Sequence, residues 1–395
     1  MIKSINLKNY IETLESGKRP KGGASNSGVP SLGGEHINLN GGFNLQIDKL
    51  KFVPEEYFNS LSKGIIKKND ILIVKDGATT GKVAYVNEDF SLEKACINEH
   101  VFLVRPKKEI NPKYLFYYFF SNIGQREILK DFRGATVGGI SKEFIDIDMY
   151  IPKVDEQIEI IKILDKAKSL IDKRKEQIKA LDELVKSKFI ETFGDIKNNP
   201  IGWKKIKIGD VFEIKTGATP SRKENKYWDN GTIPWIKTTE LKEIVINNSE
   251  EYITEEGFNK TSVNLLPKNT ILIAMYGQGK TRGMTGKLGI EATTNQACAA
   301  ILPNPKENMD FIWYQLKLSY EDLRDLGRGG SQPNLNTNLI KSYQLIFPPM
   351  ELQNKFVQFT NQVDKLKFKM EKSLKELEDN FNSLMQKSFK GEIFN

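Results

Sequence analysis

Two long stretches of the chain place apolar residues among polar ones with a period of seven. After Pro348, the residues Phe356, Val363, Met370, Leu377 and Leu384 recur at that interval. Phe359 and Leu366, then Leu374 and Phe381, form a second row that shifts at Ser373. After Pro152, Leu164, Ile171, Ile178 and Val185 form one row, joined by Ile160, Ala167 and Leu181. Such a repeat, kept over several heptads, predicts a coiled coil. The stretches hold no Gly or Pro, and at 1.5 Å rise per residue each helix would run for about 60 Å. A long helix with a narrow seam needs a matching partner, and the chain carries one of each. Elsewhere the pattern changes to short apolar runs bounded by Gly, Asn and Asp. Asp70–Val74 and Thr270–Ala274 read as strands, and 112–121 and 308–319 as short helices. The expected class is α+β.

The same elements are written twice. Gly17-Lys-Arg-Pro20 returns as Gly217-Ala-Thr-Pro220, and Lys68-Asn69-Asp70-Ile71-Leu72-Ile73 as Lys268-Asn269-Thr270-Ile271-Leu272-Ile273, each 200 positions on. Gly134, Pro152 and Gln157 match Gly330, Pro348 and Gln353 at a displacement of 196. Leu184 and Phe189 match Leu384 and Phe389 at 200 again, which predicts a later helix about one turn longer than the earlier one. Ordered self-similarity over the whole length predicts a tandem duplication. The boundaries are 1–150, a first compact domain; 151–195, the first long helix; 196–346, a second compact domain; and 347–395, the second long helix. The prolines are expected in the first turn of each helix, where a missing N–H costs nothing.

Composition narrows the classes. Of 395 residues, 39% are hydrophobic and 28% charged, which supports a packed core and argues against wholesale disorder. Lys plus Arg outnumber Asp plus Glu by 59 to 51, a net +8 that favours a polyanionic partner. Cys96 and Cys298, the only cysteines, exclude a disulfide scaffold. No signal peptide is evident, and the densest apolar run, Tyr114 to Phe120, is far short of a bilayer span. These features predict a soluble, cytoplasmic protein with no membrane association.

Candidate chemistry mostly fails on inspection. ILIAMYGQGKT, from Ile271 to Thr281, is a partial phosphate-binding loop with Ala274 where the motif needs Gly. Its mate, Gly77 to Lys82, is one residue too short and continues into Val83. Asp195 with Glu213-Ile214-Lys215 loosely resembles a nuclease signature but has no counterpart in the first copy. His36 and His100 stand alone, and His100 reads as a satisfied core or turn residue rather than a general base. Both cysteines read as small core residues. No catalytic residue and no metal site is predicted.

What remains is a set of recurring basic and polar loops. GKRPKGG holds Lys18, Arg19 and Lys21, and its mate GATPSRKENKYW holds Arg222, Lys223, Lys226 and Tyr227. GQGKTRGMTGK holds Gln278, Lys280 and Arg282, while GRGGSQPNLN holds Arg328, Ser331, Gln332 and Asn334. Lys75, Lys82, Arg133 and Lys237 complete the candidate DNA-binding set. Lys and Arg between glycines can approach phosphates closely, and Gln, Asn and Arg can read base edges with paired hydrogen bonds.

Several segments carry a resemblance to a known family: KNDILIVKDGATTGKVAYV and INEHVFLVRP in the first copy, and IGWKKIKIGDVFEIKTGATP, LLPKNTILIAMYGQGKTRG and GGSQPNLNTNLIKSYQLIFPPMELQ in the second. They, the long helices and the ending LMQKSFKGEIF resemble the specificity subunits of type I restriction–modification enzymes. GATVGGISKEF departs from its mate by lacking the Gln-Pro-Asn stretch, and MELQ replaces the acidic-Gln pair kept at 155–157. The resemblance implies two target-recognition domains, each reading one half of a bipartite double-stranded DNA sequence. It implies an antiparallel coiled coil that sets the spacer and docks two adenine methyltransferase subunits, alongside two restriction subunits. S-adenosylmethionine, ATP and Mg would then belong to the partner subunits, and this chain would hold no cofactor. Two other classes stand beside it. A self-contained restriction endonuclease would cleave DNA alone with Mg²⁺, and a structural coiled-coil adaptor would not bind specific DNA.

Overall fold

The computed structural model describes residues 4–134, 138–277, 279–327 and 334–394. The chain forms two compact units, Met1–Glu176 with Met370–Asn395, and Gln177–Lys369. In the first, four antiparallel strands run in the order Ile11–Ser16, Val101–Pro106, Ile71–Val74 and Val83–Tyr85. A three-stranded sheet follows the order Phe52–Val53, Val29–Leu32 and Cys96–Ile97, the last pair parallel. Ser4–Asn6 pairs with Asp148–Tyr150 and closes the domain end to end.

The second unit repeats this plan. Ile214–Thr216, Cys298–Ile301, Ile271–Ala274 and Thr285–Leu288 stand in the same order, and Val245–Ile246 adds a parallel edge strand. Glu251–Ile253, Ile233–Ile236 and Thr293–Thr294 make the three-stranded sheet, and Lys205–Lys207 pairs with Gln344–Ile346.

The strands Ile71–Val74 and Ile271–Ala274 are buried on both faces, which explains their unbroken apolar runs. Ile71 and Ile73 enter one core with Phe102 and Val104, while Leu72 and Val74 enter another with Leu32 and Val101. Ile271 and Ile273 are likewise separated from Leu272 and Ala274. The recurring Lys-Asn step before each strand is a turn: Asn69 and Asn269 take φ of 70° and 69°. Asn tolerates this left-handed region better than other residues bearing a side chain.

The long helices are Val154–Phe193 and Met350–Lys390, 40 and 41 residues. In the first unit the start of one (Ile160, Leu164, Ile171) and the end of the other (Phe381, Met385, Phe389) share a core. In the second, Val185, Phe189 and Phe193 meet Phe356, Val357 and Val363. The helices are therefore antiparallel in both units, with Lys175 2.8 Å from Glu378 in one and Lys367 2.6 Å from Asp182 in the other. Of the seam residues, Leu164, Ile171, Val185, Phe356 and Val363 are buried, whereas Ile178, Met370, Leu377 and Leu384 are half-buried. Leu366, expected in the second row, is 44% exposed.

The expected extra turn is absent. Thr192 Oγ1 donates to the Lys188 carbonyl, and Ser388 Oγ to the Leu384 carbonyl, 196 residues apart. Phe193 and Phe389 keep that displacement, and each helix then ends at a left-handed glycine, Gly194 (φ 76°) or Gly391 (φ 74°). Leu184, matched above to Leu384, is 47% exposed. Side chains one turn apart on a helix face are easily exchanged in a sequence match, and that exchange created the apparent offset. Pro152 and Pro348 precede the helices rather than lying in their first turns.

Each domain docks on the helix pair through one short helix. Pro112–Phe120 is capped by the Asn111 side chain and buries Tyr114 through Phe119, accounting for the densest apolar run. Met309–Leu318, capped by Asn308, is its counterpart. Phe389 meets the rings of Tyr114 and Tyr118 at 5.3 and 5.4 Å, and Phe193 meets Phe311 at 5.0 Å. Tyr117 donates to Asp165 at 2.6 Å and Tyr314 to Asp364 at 3.0 Å. Burial pushes both phenols well above their ordinary pKa.

Candidate nucleic-acid interface

Four loops converge at one end of the main sheet in each unit, held by matching main-chain bonds. Lys75 N–H donates to the His100 carbonyl at 2.8 Å, and Met275 N–H to that of Ala297 at 2.8 Å. Ile140 N–H reaches the Lys75 carbonyl at 2.8 Å, and Leu335 N–H that of Met275 at 3.0 Å. The segment after Ile71–Val74 or Ile271–Ala274, the turn at 98–100 or 295–297, and residues 138–140 or 334–335 are thereby tied together. The fourth loop follows Gly17 or Gly217. A Cβ on Gly17 would lie 2.1 Å from the Ile97 carbonyl oxygen, and one on Gly217 1.8 Å from that of Thr294. Only glycine lets this backbone pass so close to the turn.

The side chains on these loops differ in how far they are engaged. Lys18 and Lys21 are exposed, and neither has an ion pair among the described residues. Arg19 lies 3.8 Å from Glu99 and Arg133 3.2 Å from Asp131. Lys75 and Lys82 are half-buried, Lys75 lying 3.7 Å from Asp76 and Lys82 donating to the Ile37 carbonyl at 3.3 Å. In the second unit the Arg222 guanidinium stacks 3.6 Å over Trp228 and pairs with Glu251. Lys237 bridges Glu250 and Glu251 at 3.1 and 2.8 Å, and Lys226 pairs with Glu256 at 3.2 Å beside half-buried Tyr227. Lys223, Lys280 and Asn334 are exposed, whereas Arg282 is buried with its Nε unpartnered among the described residues. Gln278, Arg328, Ser331 and Gln332 lie outside the described residues.

Two features escaped the sequence reading. Glu99, Asp76 and Asp131 interleave acids with the first unit's cations. Arg324 donates to the carbonyls of Gly279 and Arg282, and Tyr320 to that of Lys280, supporting that loop from beneath. Their spacing of four on one helix was the available signal. Of the two readings of His100, core or turn, the structure shows the turn: the residue is exposed and its ring lies 2.5 Å from Asp76.

The phosphate-loop likeness dissolves in this geometry. Both partial motifs join antiparallel strands, so no helix N-terminus follows to receive a phosphate. Both cysteines are buried, and burial pushes the Cys298 thiol up to about 12. Among the described residues no cluster of His, Cys, Asp and Glu could hold a metal ion, and no helix is long and apolar enough to cross a membrane.

The family model for the type I restriction modification DNA specificity domain matches residues 11–181 and again 200–379. The chain belongs to that family. The type I restriction enzyme EcoR124I/EcoR124II specificity subunit of Escherichia coli is 24% identical over 312 residues, covering 76% of this chain and 74% of that one. The MjaIX specificity subunit of Methanocaldococcus jannaschii is 32% identical over 188 residues, 46% of this chain and 41% of its own. The fold is also that of solved specificity subunits. The type I S subunit from M. genitalium aligns over 98% of this chain and 96% of its own, with TM-score 0.53 and 17% identity. A chain from a structure of type I R-M complex assembly and conformational transition aligns over 99% and 98%, with TM-score 0.63 and 15% identity. As a type I specificity subunit the chain has two recognition domains, and its two loop clusters are one per domain.

Proposed function

We propose that each loop cluster reads one half of a bipartite duplex DNA target and that the paired helices hold the two readings at a fixed spacing. The observation that carries this reading is the recurrence of one loop frame, in matching hydrogen bonds, on both domains. In the proposal Lys18, Lys21, Lys223 and Lys280 neutralise phosphates, and Arg19 and Arg133 add to the first domain's field. Arg222, Lys226 and Lys237 serve the second domain by bracing its loop. Neutralised phosphates supply affinity and register but no sequence information, which must come from side chains at base edges.

The chain itself performs no chemistry in this reading. Two methyltransferase subunits bring S-adenosylmethionine, two restriction subunits bring ATP and Mg, and the complex works in the cytoplasm. Supporting this division, both halves of the chain match the DNA specificity domain. The test replaces residues 1–150 with another family member's first domain and maps the methylated motif in cells that also carry the methyltransferase subunit. One half of the motif should change and the other stay. Change in both halves overturns the one-domain, one-half assignment. Methyl transfer by the purified chain supplied with S-adenosylmethionine overturns the non-catalytic role.

A further inference from the structure

The turn at the centre of each loop cluster is built identically and tipped differently. Asn98 Oδ1 accepts from His100 N–H at 2.9 Å, and Asn295 Oδ1 from Ala297 N–H at 3.2 Å. Asn98 N–H donates to the Leu32 carbonyl at 2.9 Å, and Asn295 N–H to the Ile236 carbonyl at 3.2 Å. An Asn side chain that bonds its own backbone two residues on fixes a turn without help from the intervening residue. That residue is Glu99 in one domain and Gln296 in the other. Each meets the same place on the glycine loop: Arg19 lies 3.8 Å from Glu99, and the Thr219 hydroxyl donates to Gln296 Oε1. Glu99 also faces His100 Nε2 at 3.5 Å, a position occupied by Ala297 in the second domain. The second domain forms the turn with none of the first domain's charges, so those charges are not what holds it.

We infer that Glu99 and Gln296 are equivalent base-reading residues, one per half-site, with Glu99 reading cytosine and Gln296 reading adenine. The inference rests on the recognition role proposed above. An ionised carboxylate only accepts hydrogen bonds. In the major groove cytosine offers its N4 amino group, whereas the amino group of adenine lies beside the N7 acceptor, which repels a carboxylate. The Gln amide both donates and accepts, matching adenine N6 and N7 as a pair. Arg19 holds the Glu99 carboxylate from the loop side, and Thr219 accordingly orients the Gln296 amide by donating to its oxygen.

The test exchanges the two tips. Full-length Glu99→Gln and Gln296→Glu chains are each expressed with the methyltransferase subunit, the methylated motif is mapped, and binding is compared on duplexes altered one base at a time. Glu99→Gln should erase a cytosine preference at one position of one half-site, and Gln296→Glu an adenine preference in the other half. Each loss should be roughly tenfold to a hundredfold in discrimination. Glu99→Ala and Gln296→Ala, checked for unchanged melting, should relax the same positions. Motifs identical to the parent in all four variants overturn the assignment. So does an equal loss of affinity on every duplex, the mark of a merely structural contact. If the parent itself yields no motif, the recognition role falls first and takes this inference with it.

Discussion

In the first domain Phe120 stacks on Phe116 with ring centroids 5.5 Å apart. At the matching place in the second, Lys317 lies 4.2 Å over Trp313 and 3.7 Å over Tyr314. Burial lowers the pKa of Lys317, and Asp364 and Glu243 nearby act to raise it again. The basic loops diverge in the same way. The first domain's is short and pairs Arg19 with Glu99, whereas the second's is braced by Arg222 on Trp228 and Trp235. Common to both are main-chain hydrogen bonds, a glycine pressed against a carbonyl, and an Asn-closed turn. None of these depends on the variable side chains. A duplicated frame of this kind leaves the surface chemistry of each copy free to change, as the proposed reading of two different half-sites requires.

The comparison can be broken at its anchors first. Phe193→Ala and Phe389→Ala should each cost about 3–5 kcal/mol, because each removes a buried ring at an equivalent seat. Chemical unfolding should show similar losses; a large loss at one site alone would contradict their equivalence. Gly17→Ala and Gly217→Ala should follow at about 1–3 kcal/mol, since the added Cβ collides with backbone. Little change in melting at Gly217 would mean that the loop seat is looser than the frame implies. Lys280→Ala should weaken binding to all duplexes and lower the salt slope by about one. Arg222→Ala should instead leave that slope alone and destabilise the fold, and salt-dependent binding isotherms separate the two. Smallest of all, Leu184→Ala should stay within about 0.5 kcal/mol, as a half-exposed position away from the seat.

Much of this was legible in the residues. Unbroken apolar runs marked the doubly covered strands, the period of seven marked the helices, and the displaced motifs marked the duplication. The helix register was not, because Phe189 and Phe193 lie one turn apart on the same face and either matches Phe389 by type. The status of the cations was hidden for another reason. Arg222 finds Glu251 29 positions away and Lys237 finds Glu250 and Glu251, pairings set by tertiary packing rather than by neighbours in the chain. Glu99 and Gln296, an acid and an amide at a turn, carry no positive charge, so basic composition does not single them out.

The helices are each shared between the two units, which divide near Glu176 on the first and Lys369 on the second. Inserting one heptad at each division preserves the seam period while leaving both docking seats intact. It lengthens each helix by about 10 Å, the length of about three base pairs. Mapping the methylated motif of this double-insertion chain, co-expressed with the methyltransferase subunit, is the most direct test of two readers held by a common pair of helices. The account predicts unchanged half-sites separated by about three more base pairs. An active, folded insertion chain with the parental spacer would contradict it.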